Sequence, residues 1–125
     1  MTTTRNSRPI PILMYHQCAT PPAKGTPFRS LTVDPAVFAR HMRWLKAMGY
    51  RGLSMRDLQP YLRGEKQGKV FGLTFDDGFV NVAENAVPIM ADLGFTATNY
   101  FVAAQVGGTN AWDAEKGVPT ARLMD

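Results

Sequence analysis

The sequence predicts an α/β fold in which parallel strands are joined by helical crossovers, and three observations predict it. Strand-like and helix-like segments alternate along the chain in the order β-α-β-α-β-α-β. The run Val70-Phe71-Gly72-Leu73-Thr74-Phe75 is nearly all apolar, as a strand buried on both faces is. That run ends in Asp76-Asp77-Gly78, at the strand terminus where sheets and barrels of this class place their ligand sites.

Ile10, Ile12, Leu13, Met14 and Tyr15 read as a short buried strand, and Pro9 and Pro11 are tolerable at its first positions. Pro21, Pro22, Gly25 and Pro27 make residues 18–31 loop rather than strand. Asp34 then caps a helix with Pro35 at its first position, where a missing N–H costs nothing, and Gly49 closes it. Val37, Phe38, Trp44, Leu45 and Met48 recur at helical spacing as its apolar face. Arg40, Arg43 and Lys46 fall opposite, while His41 lies inside the apolar arc and reads as a satisfied core histidine.

Residues 50–53 form a second strand candidate. Ser54, Asp57, Leu58, Tyr61 and Leu62 mark a helix that ends near Gly64. After the buried strand, Val82, Ala86, Ile89, Met90 and Leu93 repeat at helical spacing, but Pro88 lets the regular helix start only about a turn before it. Gly94 ends that helix, and residues 96–102 are a fourth strand rich in β-formers. Four strands do not close a barrel, which takes about 250 residues. The end of the chain reads as a helix start cut short, so residues 1–125 are expected to be one partial domain, truncated at its C-terminus.

Composition narrows the class. With 45% hydrophobic and 19% charged residues the chain reads as globular, and no apolar stretch approaches the roughly 20 residues of a membrane span. The basic amino terminus lacks a following apolar segment of signal length, which predicts a cytoplasmic protein. Cys18 stands alone, which excludes an internal disulfide, and no base partner marks it as a nucleophile. The net charge of +4 is scattered, so no nucleic-acid partner is expected.

Two carboxylates side by side at a strand end are costly unless a cation sits beside them, and a divalent metal answers that need. Gly78 lets the backbone turn sharply after the pair. The only histidines are His16 and His41, and neither sits in a paired ligand spacing. His16 follows the first strand and would share the barrel rim with Asp76, where it could orient the carboxylates. Trp112, in a glycine-rich loop, is the better placed of Trp112 and Tyr100 to offer an aromatic face to a ligand.

Thr74-Phe75-Asp76-Asp77-Gly78 resembles the first motif of the polysaccharide deacetylases, the NodB-homology group of carbohydrate esterases. Pro11-Ile12-Leu13-Met14-Tyr15-His16 is similar to the first strand of the poly-N-acetylglucosamine deacetylase-like branch. The segments 38–50, 86–90, 97–102 and 107–113 are similar as well, so the resemblance is collinear over nearly the whole chain. It implies the N-terminal half of a distorted (β/α) barrel. It implies metal-dependent removal of acetyl groups, N-acetyl before O-acetyl, from an acetylated polysaccharide or oligosaccharide. Asp76 would be the general base and Asp77 a ligand of a divalent metal, zinc first, with His16, Gly78 and Trp112 supporting or on the substrate side. The family's His-x-x-x-His metal motif, and the later motifs that bring the catalytic acid, belong after residue 125. One carboxylate does not hold a transition metal tightly, so the chain alone is expected to be inactive.

Two other classes compete. A non-catalytic remnant of the same fold would bind a glycan or a partner and self-associate through an uncovered sheet edge. Magnesium-dependent phosphoryl chemistry also uses paired aspartates, but no phosphate-binding loop accompanies them here.

Overall fold

A computed structural model describes residues 9–27, 29–100 and 121. Its elements run β1 (Ile12–Tyr15), β2 (Gln17–Cys18), β3 (Thr32–Val33), α1 (Pro35–Ala47), β4 (Arg51–Leu53), α2 (Met55–Leu62), β5 (Val70–Phe75), α3 (Val87–Leu93) and β6 (Thr98–Asn99). The fold class is the expected one: every strand pairing described is parallel, and the helices cross over between strands.

β5 is the centre of the sheet. It carries β1 on one side, with Ile12 opposite Gly72 and Tyr15 opposite Phe75. On the other side it pairs first with β4, from Arg51 opposite Val70 to Leu53 opposite Gly72, and then with β6, with Phe75 opposite Asn99. The switch occurs because β4 leaves the sheet to enter α2, and β6 takes its place. Thr96 bridges the change, donating its N–H to the Gly52 carbonyl at 3.0 Å.

All six residues of β5 are buried, because both of its faces are covered. Phe71, Leu73 and Phe75 point into a core with Phe38 and Met42 of α1 and Met90 of α3. Residues alternate faces along a strand, so Val70 packs on the opposite side with Leu53 and with Leu58 of α2.

The helix termini follow the sequence. Asp34 accepts the Ala36 and Val37 N–H groups at the start of α1, and Ser54 accepts that of Asp57 at the start of α2. Gly49, Gly64 and Gly94 adopt positive φ just beyond the helix ends, a conformation glycine enters without penalty. Before Pro88 the backbone widens into a π-helical turn over Val82–Ala86. A prolyl ring crowds the carbonyl four residues back, and the wider turn relieves it.

Four expectations need correction. β1 is not a buried strand: Ile12 is 45% and Met14 65% exposed, because β1 lies at an edge of the sheet among the described residues. The loop read over 18–31 begins one residue later, because Cys18 belongs to β2, which pairs across the loop with β3. In α1 the buried stripe is Phe38, Ala39 and Met42, while Trp44 is 63% exposed and Met48 also faces out. His41 is exposed rather than a core histidine. At roughly 100° per residue, Val37, His41, Trp44 and Met48 form a shoulder beside the stripe. No helix among the described residues is long and apolar enough to cross a membrane.

Candidate active site

β5 delivers Asp76 and Asp77 to the carboxyl end of the sheet, and hydrogen bonds from both neighbours fasten that end. Asp76 donates its N–H to the Tyr15 carbonyl at 2.8 Å, and Tyr100 donates its N–H to the Phe75 carbonyl at 2.9 Å. His16 Nε2 lies 3.7 Å from Asp76 Oδ2, with both side chains about three-quarters buried. That gap is longer than a hydrogen bond but within ion-pair reach. The expected neighbourhood of His16 and Asp76 is therefore present.

Asp77 is partly buried and sits at φ 73°, the one non-glycine residue at positive φ among those described. Gly78 follows at φ 68° and is buried. Two consecutive left-handed residues make the sharp turn that the Asp-Gly pair foretold. Trp112 lies outside the described residues, as do Gly107 and Gly108. Tyr100 is half exposed at the end of β6.

Sequence reasoning missed the groups that hold the segment after His16. Asn81 accepts the Cys18 N–H at 3.0 Å and donates to Gln17 Oε1 at 3.0 Å. Asn85 donates to the Cys18 carbonyl at 2.7 Å. These asparagines satisfy the backbone of a buried two-residue strand, a need that nothing in the sequence announces. Asn99 was also missed: it lies opposite Phe75, and its Oδ1 is buried without a hydrogen-bond partner among the described residues.

Burial pushes the Cys18 thiol up to about 11, with Asp34 adding to the effect. The Tyr15 hydroxyl is raised chiefly by burial as well. Both groups are therefore neutral near pH 7, which fits Cys18 as a core residue and not a nucleophile.

Metal sites of the catalytic type use three protein ligands and an open position. Among the described residues no three histidine, cysteine, aspartate or glutamate side chains come together to hold an ion. Among the described residues, Asp76, Asp77 and His16 do not make up a complete metal-ligand set.

The polysaccharide deacetylase family model matches residues 63–118, which include β5 and the Asp76-Asp77 pair. YxkH of Bacillus subtilis (strain 168), a protein assigned to the polysaccharide deacetylases, is 30% identical over 106 residues, 83% of this chain and 36% of YxkH. The Streptococcus pyogenes deacetylase PplD, solved in complex with acetate, is 31% identical with a TM-score of 0.66, over 92% of this chain and 48% of that one. IcaB from Ammonifex degensii shares the fold at a TM-score of 0.72 and 22% identity, over 92% of this chain and 44% of its own. The chain spans between about a third and a half of the length of these relatives. The NodB-type architecture of those deacetylases is the frame on which β5 and its carboxylates are mounted. The chain belongs to the polysaccharide deacetylase family.

Proposed function

We propose that this chain is the base-bearing part of a metal-dependent deacetylase acting on an acetylated glycan, N-acetyl groups before O-acetyl. Asp76 is the general base, and the single observation that carries this reading is its place beside His16 at the end of a strand hydrogen-bonded on both sides. A carboxylate held there stays oriented toward a water molecule, and the nearby imidazole helps to position it. Asp77 is one ligand of a divalent metal, zinc first, and Gly78 turns the chain away from the pair. The remaining ligands are not among the described residues. A metal in such a site supplies Lewis acidity toward the acetyl carbonyl. Alone, the 125-residue chain does not turn over substrate.

The test joins this chain to the part of YxkH that it does not match. Release of acetate from N-acetylglucosamine oligomers by the fusion, lost in its Asp76→Asn variant, supports the reading. Full activity in Asp76→Asn would overturn the assignment of the base.

A second reading is favoured by β1, whose outer edge has no partner strand among the described residues and whose Ile12 and Met14 are exposed. Such an edge suits pairing between copies in a non-catalytic, glycan- or partner-binding remnant. A concentration-independent monomer in size-exclusion chromatography would remove this reading.

A further inference from the structure

Beside the carboxylate cluster lies a cavity of about 300 Å³ that shares His16 with it. Met14 of β1 and His16, the residue that follows the strand's end, line it from one side. Ser30, Thr32 and Val33 line it from the segment that leads into α1, and His41 closes it from the helix. His41, exposed and unused by the proposed chemistry, thus has a place next to the one histidine that the chemistry uses.

The lining selects a ligand class. None of the described residues around this cavity is a lysine, arginine, aspartate or glutamate, so nothing there compensates a charged ligand. Three hydroxyl-bearing residues, Tyr15, Ser30 and Thr32, and two imidazoles supply hydrogen-bond donors and acceptors, and Met14, Leu31 and Val33 supply apolar surface. A neutral ring with apolar faces and a hydroxylated edge matches both. The volume lies at the small end of ligand cavities, which suits one such ring and not several.

We propose that this cavity is a subsite for one neutral sugar ring, the neighbour in the glycan of the unit presented to Asp76. The inference rests on the deacetylase reading for the identity of the glycan, but its chemistry requires only a neutral pyranose. His41 and Thr32 are binding residues of the subsite, and His16 stands at the boundary between the two rings.

The test is a titration of the full chain, labelled at the methionine methyls and histidine rings, with N-acetylglucosamine tetramer and with β-1,4-glucose tetramer, followed by NMR. Met14→Leu assigns the methyl signal. Saturable shifts of the Met14 methyl and the His41 ring with both sugars are expected. Affinity should fall about fivefold, the loss of one hydrogen bond, in His41→Ala and in Thr32→Val, and stay unchanged in Arg40→Ala on the outer face of α1. His41 is exposed, so its replacement leaves the core intact. Absence of shifts at Met14 and His41 with either sugar overturns the subsite. If the fusion with YxkH releases acetate while His41→Ala leaves its KM unchanged, the subsite falls and the deacetylase reading stands. If both sugars bind at Met14 and His41 but the fusion releases no acetate, the deacetylase reading falls and the subsite stands.

Discussion

The Asp76 N–H is bonded to the carbonyl of Tyr15, and the residue after Tyr15 is the histidine that faces the Asp76 carboxylate. One backbone hydrogen bond thus registers two strand ends so that a carboxylate and an imidazole meet. The parallel pairing of β1 with β5 carries that register along four residues, which makes the meeting a property of the sheet and not of a loop.

Zinc binding reports whether the site is half built. With no three donors together among the described residues, calorimetry on the purified chain should give a Kd weaker than about 1 mM. Asp77→Ala should change it little. Micromolar binding that disappears in Asp77→Ala would reveal a ligand set complete within the chain.

Cys18 should behave as a buried thiol. It is fully enclosed in the core and its pKa is pushed up to about 11, so at pH 8 its thiolate is on the order of one part in a thousand. Iodoacetamide should label it far more slowly in the native protein than in urea. Because the folded value lies above the ordinary 9.0, its contribution to stability is complete below pH 9 and is lost as the pH rises toward 11. Equal labelling rates in native and unfolded protein would contradict this placement.

Gly52 has room for hydrogen only. A Cβ there would stand 2.9 Å from Phe71 Cζ and 3.0 Å from Phe95 Cδ2, two rings already packed edge to face at 5.6 Å. Gly52→Ala should destabilise the fold by about 1–3 kcal/mol, read as a lower urea midpoint at unchanged slope. A midpoint equal to that of the parent would show that the ring pair shifts freely.

Thr96 ties β6 to the start of α2. Its hydroxyl donates to Asp57 Oδ2 at 2.9 Å and accepts the Ser54 N–H at 2.8 Å. The bond from Thr96, followed by those from Ser54 and Arg56, holds the Asp57 carboxyl below its ordinary 3.8. A lowered folded value means stability that is present above that ordinary pH and lost as the pH falls through the folded one. Thr96→Val should lower the urea midpoint at pH 7 and flatten its decline below pH 4. An unchanged acid profile would remove Asp57 from the account.

The parts legible in the sequence were those written in local chemistry. Asp34-Pro35, Gly49 and Gly94 placed helix ends, and the nearly all-apolar run of residues 70–75 before two aspartates placed the buried strand. The parts that were not legible depend on partners distant in sequence. The outer face of β1 is exposed because of where the strand lies in the sheet, which its own apolar residues do not encode. Asn81 and Asn85 matter only because residues more than sixty positions earlier need hydrogen bonds. His41 and Trp44 were misread because a helical period locates an apolar stripe but leaves its edges open by a residue on either side.

The left-handed backbone of Asp77 carries a thermodynamic signature of its own. A side chain at φ 73° costs roughly 1 kcal/mol that glycine would not. Asp77→Gly would remove that backbone cost together with the interaction Asp77 itself makes in the fold, and it would loosen the unfolded chain. The shift in its melting temperature therefore reports the balance between a relaxed turn and a carboxylate kept in place.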